Sequence, residues 1–104
     1  MKRFWESSPE WQRKRELFAA LEAATGADSE AGATVLACLR IGILGSIHGR
    51  ECRAAYLRAS EARDDAFVAW SAARDAFKAC AAGQAHARYL ADPLGATMTE
   101  SEAA

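Results

Sequence analysis

Alanine constrains this chain more than any other residue, because it accounts for 26 of the 104 positions. Alanine has the highest helix propensity of all residues. Valine and isoleucine, which favour strands, occur only five times between them. A β sandwich, a barrel or a doubly wound α/β fold needs several strands rich in these two residues. The composition therefore predicts an all-α fold of three to four helices, packed as a helical bundle.

Start and stop signals predict where the first helix lies. Ser8 is a favourable N-cap, and Pro9 suits the first helical position. Gly26 is a natural C-terminal stop. These signals predict a first helix over about 9–25.

The second predicted helix begins at Asp28 or Ser29 and ends near residue 48. The stretch 33–47 is apolar on nearly every side of this helix, which is typical of a helix at the centre of a bundle. Each glycine inside a helix lowers its stability by roughly 1 kcal/mol relative to alanine. The glycines in this helix therefore predict close approach of a neighbouring helix, and they are Gly32, Gly42 and Gly45.

A heptad-like pattern runs through a long, alanine-rich C-terminal helix predicted at about 50–91. Small residues alternate with large ones at four–three spacing. The small positions are Cys52, Ala59, Ala66, Ala73, Cys80 and Ala87, and the large ones are Tyr56, Arg63, Trp70, Phe77 and Gln84. Small residues let helix axes approach closely, so the pattern predicts a packing seam for another helix.

The lengths of the predicted helices indicate a partner for this seam. The helix over 50–91 would span roughly 63 Å, whereas the second helix would span roughly 30 Å. Antiparallel packing would leave about 70–90 uncovered, and large exposed apolar faces mark interfaces. We therefore expect an antiparallel homodimer, with a helix break near Asp64–Asp65 and a closed monomeric bundle as the alternative. The residues assigned to a dimer or partner interface are Phe67, Trp70, Ala73, Phe77, Cys80 and Tyr89.

The ends of the chain and its charge predict a single cytoplasmic domain over 1–91, followed by a flexible acidic tail over 92–104. The net charge is only −1, which disfavours a general nucleic-acid binder. The N-terminus lacks the apolar run of a signal peptide. The stretch 33–47 is shorter than the ~20 residues of a membrane span and contains Arg40. The three cysteines form no CxxC motif, which favours reduced thiols.

No catalytic constellation is evident, so we expect a protein that is not an enzyme and holds no cofactor. His48 and Cys52 are four residues apart and share a helix face. Cys80 and His86 would lie about 45 Å from them along one continuous helix. The pattern therefore predicts no metal site.

The function expected from these observations is a non-enzymatic protein–protein interaction module. It would be a small adaptor, chaperone or inhibitor, of the kind with which a phage or mobile element blocks a host system. One alternative is a helix-turn-helix-like DNA-binding protein that uses Arg50, Arg53 and Arg58. Another is a thiol- or metal-dependent protein that acts through Cys52 and Cys80.

Overall fold

The computed structural model describes residues 3–93 and is all-α over that range, which confirms the predicted fold class. A short 3₁₀ helix, Phe4–Ser7, precedes three α-helices. These are α1 (Pro9–Arg40), α2 (Ile47–Ala79) and α3 (Ala81–Ala91). None of these helices has the length and apolar character that a membrane span requires.

The described residues divide into two compact units. The first, here called the hairpin unit, is Leu17–Trp70 and contains most of α1, the loop over 41–46 and most of α2. The second, here called the terminal unit, comprises the described residues 3–16 and 71–93. The single domain over 1–91 stays a prediction. Of the predicted acidic tail, residues 94–104 lie outside the described residues.

The start of α1 is predicted correctly, whereas its end is not. The Ser8 hydroxyl accepts a hydrogen bond from the Trp11 backbone N–H at 3.2 Å, and Pro9 is the first helical residue. Gly26, predicted to stop the helix, lies inside α1, and a Cβ there would meet no atom within 4 Å. The predicted start of a second helix at Asp28 is also wrong, because α1 continues to Arg40.

The turn that follows the end of α1 contains Gly42, the one residue with positive φ among those described (φ 76°). The Gly42 N–H donates to the Leu39 carbonyl at 3.2 Å, and the Ile43 N–H donates to the Cys38 carbonyl at 3.0 Å. This pair of bonds is a Schellman motif, which satisfies the last carbonyls of a helix. Ser46 then caps α2, because its hydroxyl accepts from the Gly49 N–H at 3.0 Å. The chain therefore reverses at 41–46.

A buried carboxylate sets the register of the two helices in the hairpin unit. Asp28 is only 7% exposed. Its carboxylate accepts a hydrogen bond from the Ser60 hydroxyl at 2.5 Å and from Arg63 Nη1 at 2.8 Å. One turn further along α1, a Cβ on Gly32 would lie 3.2 Å from the Tyr56 ring. The predicted close approach is thus confirmed at Gly32, where antiparallel α1 and α2 meet, whereas Gly42 and Gly45 belong to the loop.

The prediction of one long helix over 50–91 is wrong at Cys80, and the alternative break at Asp64–Asp65 is also absent. Cys80 is extended (φ −82°, ψ 166°), and its Sγ accepts from the Gly83 N–H at 3.4 Å to cap α3. A Cβ on Gly83 would overlap the Phe77 carbonyl, so glycine is required where α3 begins so close to α2. α2 runs unbroken through Arg63, whose guanidinium pairs with Asp28.

The apolar stretch 33–47 does not form a central helix, contrary to the prediction. It is divided between the end of α1, the loop over 41–46 and the start of α2. Leu39 is 56% exposed, Ile41 70% and Ile47 75%.

The length argument for a dimer does not apply to this fold. α1 and α2 have 32 and 33 residues, so neither is much longer than the other. Within the terminal unit, Ala73 and Phe77 are buried, although the length argument left them uncovered. The homodimer itself stays a prediction.

Two glycine substitutions should change stability in opposite directions. Gly42→Ala places a Cβ in the left-handed region and should destabilise the protein by about 1 kcal/mol. Gly26→Ala removes a flexible residue from inside α1 and should stabilise it by roughly 0.5–1 kcal/mol. Urea denaturation of both variants measures the difference, and equal effects would contradict the placement of the turn.

Two serines on α2 give a matched test of the buried carboxylate. Ser60→Ala should lower the free energy of unfolding by about 1–2 kcal/mol, since it removes a hydrogen bond to a buried charged group. Ser71→Ala should leave it unchanged or raise it, because the buried Ser71 hydroxyl has no hydrogen-bond partner among residues 3–93. Both variants gain the same helix propensity, so a Ser60→Ala protein as stable as Ser71→Ala would refute the role of Asp28.

Candidate functional site

The end of the hairpin unit around the loop is the strongest candidate site. We call residues 36–58 the hairpin tip. It comprises the end of α1, the loop and the first turns of α2. Two features meet there, a thiol–imidazole cluster and a set of exposed apolar and arginine side chains.

The thiol–imidazole cluster consists of Cys38, His48 and Cys52. His48 Nε2 and Cys52 Sγ are 3.6 Å apart, as expected for residues four apart on one helix face. Cys38 comes from the end of α1, and one ligand atom from each of the three residues lies within 4.8 Å of the others. Cys38 is buried, Cys52 is half-buried and His48 is exposed. Sequence reasoning paired His48 with Cys52 but missed Cys38, because it placed that residue inside a central helix.

The loop geometry holds the three residues in place. The Cys38 carbonyl accepts from Ile43, which fixes the end of α1 beside the loop. A Cβ on Gly49 would overlap the carbonyl oxygens of Ile43 and Leu44, so the start of α2 packs directly on the loop backbone. Because Gly49 follows His48, this close packing positions the imidazole near the end of α1.

The local environment makes Cys52 a poor nucleophile. Burial and the neighbouring Cys38 thiol raise the pKa of the Cys52 thiol, and Glu51 adds to the effect. A reactive cysteine needs the opposite shift, since the thiolate is the nucleophilic form. The raised pKa therefore disfavours covalent catalysis by Cys52.

The outer surface of the hairpin tip is apolar and positively charged. The large apolar residues exposed there are Leu36, Leu39, Ile41, Ile47, Tyr56 and Leu57. Four exposed arginines lie in the same segment against a single acidic residue, Glu51. These arginines are Arg40, Arg50, Arg53 and Arg58, and the last three are the nucleic-acid contacts of the DNA-binding alternative.

The predicted interface residues of the hairpin unit are exposed or half-buried. Phe67 is 52% exposed. Trp70 is half-buried, and its ring lies 5.9 Å from Phe18 and 6.0 Å from Phe67 between centroids. A partner could therefore reach Phe67.

The predicted interface residues of the terminal unit take part in that unit's own packing. Phe77 is buried, with its ring centroid 5.2 Å from that of Trp11. Tyr89 packs against Trp5, with centroids 5.0 Å apart. Ala73 is buried, and Cys80 caps α3. Cys80 belongs to the terminal unit, and Cys52 belongs to the hairpin unit.

An aromatic cluster around His86 forms the core of the terminal unit. The His86 ring lies 5.0 Å from Trp5, 5.5 Å from Trp11 and 5.6 Å from Phe77. Burial lowers the pKa of His86, and the positive charges of Lys14 and Arg3 lower it further. These surroundings therefore favour the neutral form of this half-buried ring.

Comparisons with protein-family models, with curated proteins and with solved structures find no match to this chain.

The lowered pKa of His86 predicts acid sensitivity. Below the ordinary histidine pKa of about 6.5, His86 binds a proton more readily in the unfolded chain than in the folded chain. Stability should therefore fall as the pH drops from about 6.5 towards the lower folded-state pKa. His86→Gln should show a shallower loss of unfolding free energy over this window in urea titrations. Identical pH slopes for the two proteins would contradict the lowered pKa of His86.

Proposed function

We propose that the chain is a non-enzymatic protein–protein interaction module that docks through the hairpin tip onto an acidic, partly apolar surface of another protein. It would act by occupying that surface, as an adaptor, a chaperone or an inhibitor. The inhibitor would be of the kind that a phage or mobile element carries. A cytoplasmic location belongs to the same proposal.

The exposure of large aliphatic side chains is the observation that carries the proposal. Leu39, Ile41 and Ile47 are each more than half exposed within 9 residues of sequence. Single exposed apolar residues are ordinary, whereas a contiguous group of them usually marks an interaction site. In this segment they lie at the end of α1, in the loop and at the start of α2, so they flank the turn of the hairpin.

Charge argues for the kind of partner. Between Leu36 and Arg58 the chain has four arginines and one glutamate. Two copies of this tip would bring like charges together, and like-charge juxtaposition disfavours association. An acidic partner gains complementary contacts, and arginine is enriched in interface hot spots. The competing prediction is a homodimer whose interface residues all lie outside the hairpin tip: Phe67, Trp70, Ala73, Phe77, Cys80 and Tyr89.

The DNA-binding alternative would use the same arginines without the apolar residues. Phosphate contacts need positive charge and hydrogen-bond donors, and they gain little from Ile41 or Ile47. Arg50 already donates from Nε to the Gly45 carbonyl at 3.2 Å. The two functions therefore differ in whether the aliphatic side chains matter.

A binding experiment with defined probes tests the proposal. Fluorescence anisotropy would compare a synthetic helical peptide of leucine and glutamate with its leucine–lysine counterpart and with duplex DNA. We expect the acidic peptide to bind and the basic peptide not to bind. Replacing Ile41 and Ile47 by Asp should weaken binding at least about tenfold, since hot-spot truncations cost 2 kcal/mol or more.

Leu90→Asp is the matched control, because Leu90 is 66% exposed but lies in the terminal unit. It should leave peptide binding unchanged. The DNA-binding alternative would replace the proposal if the protein binds DNA with an affinity that falls steeply with salt. In that case the Ile41 and Ile47 substitutions would leave the affinity unchanged. The homodimer would replace the proposal if light scattering shows a stable dimer that Trp70→Asp dissociates and no peptide binds.

A further inference from the structure

We propose that Cys38, His48 and Cys52 bind a zinc ion at the hairpin tip, with a fourth coordination position open to water. The proposal goes beyond the docking function and depends on different side chains.

The spacing of the ligand atoms fits zinc. Cysteine sulfur lies about 2.3 Å and histidine nitrogen about 2.0–2.1 Å from tetrahedral zinc, so the two atoms are about 3.6 Å apart. His48 Nε2 and Cys52 Sγ are 3.6 Å apart. All three ligand atoms lie within 4.8 Å of one another, and two zinc-bound sulfurs are roughly 3.8 Å apart. Small side-chain rotations therefore suffice to form the site.

The chemistry of the ligands selects the metal. Two thiolates and an imidazole are soft to borderline ligands, which favour zinc over calcium or magnesium. Binding would release both thiol protons to solvent, so that the charges of Zn²⁺ and of the two thiolates cancel. A site without net charge is compatible with the burial of Cys38.

The positions of the ligands in the fold provide both rigidity and access. Cys38 is held by the Schellman motif at the end of α1, whereas His48 and Cys52 lie on the first turns of α2. A bound ion would therefore link the two helices across the loop over 41–46. Because His48 is exposed, the ion can enter from solvent, and water can take the fourth position.

Cobalt(II) titration of the reduced, metal-free protein tests the site directly. We expect one equivalent of Co²⁺ to give a sulfur-to-cobalt charge-transfer band and the visible bands of tetrahedral cobalt. One equivalent of Zn²⁺ should then abolish these bands and raise the melting temperature. Removal of an outer-shell partner already weakens metal binding about 10- to 100-fold, so Cys52→Ser should weaken it at least ~100-fold. His48→Ala should weaken it too, and it changes an exposed side chain.

Cys80→Ser is the matched control, because it removes a thiol in the terminal unit and keeps a good N-cap for α3. It should bind Co²⁺ like the parent protein, and circular dichroism should show each variant folded. The absence of tetrahedral cobalt bands in the folded parent would overturn the proposal. The same bands in Cys52→Ser, or their loss in Cys80→Ser, would also overturn it.

Discussion

The buried carboxylate of Asp28 is the interaction on which the hairpin unit depends. A charged group is costly to bury unless hydrogen bonds and an opposite charge compensate it. Ser60 and Arg63 provide both, and they lie one turn apart on α2. Sliding α2 by one turn would leave the carboxylate without its ion pair. The register that satisfies Asp28 is also the register in which Cys38 meets Cys52, so this contact helps to assemble the hairpin tip.

The two proposed activities of the tip place different demands on it. Docking uses the aliphatic and arginine side chains on its outer surface, whereas zinc binding uses ligands of which one, Cys38, is buried. The turn at Gly42 and the close packing at Gly49 serve both, because they determine where the loop lies relative to the two helices. A bound metal would hold the docking surface in one conformation, and preorganisation of this kind favours binding.

Local sequence signals predicted some parts of the fold and failed at others for a common reason. Ser8 and Pro9 start a helix in almost any context, because the unsatisfied donors of the first turn need a cap. Gly26 and Gly42 carry the same local stop signal. Helix propensity differs by only about 1 kcal/mol at a glycine, which tertiary packing outweighs. Gly26 therefore stays helical, whereas Gly42 lies in the turn that follows α1.

The sequence by itself determined the secondary structure class, because an alanine-rich chain with few β-branched residues favours helix at nearly every position. The shared helix face of His48 and Cys52 could also be predicted, since it depends only on their four-residue spacing and on helix periodicity. Only the tertiary structure decided which polar and small residues lie inside helices and which make turns. It also decided that Cys38 joins the other two ligands, because convergence across a loop depends on long-range contacts such as that of Asp28 with Arg63.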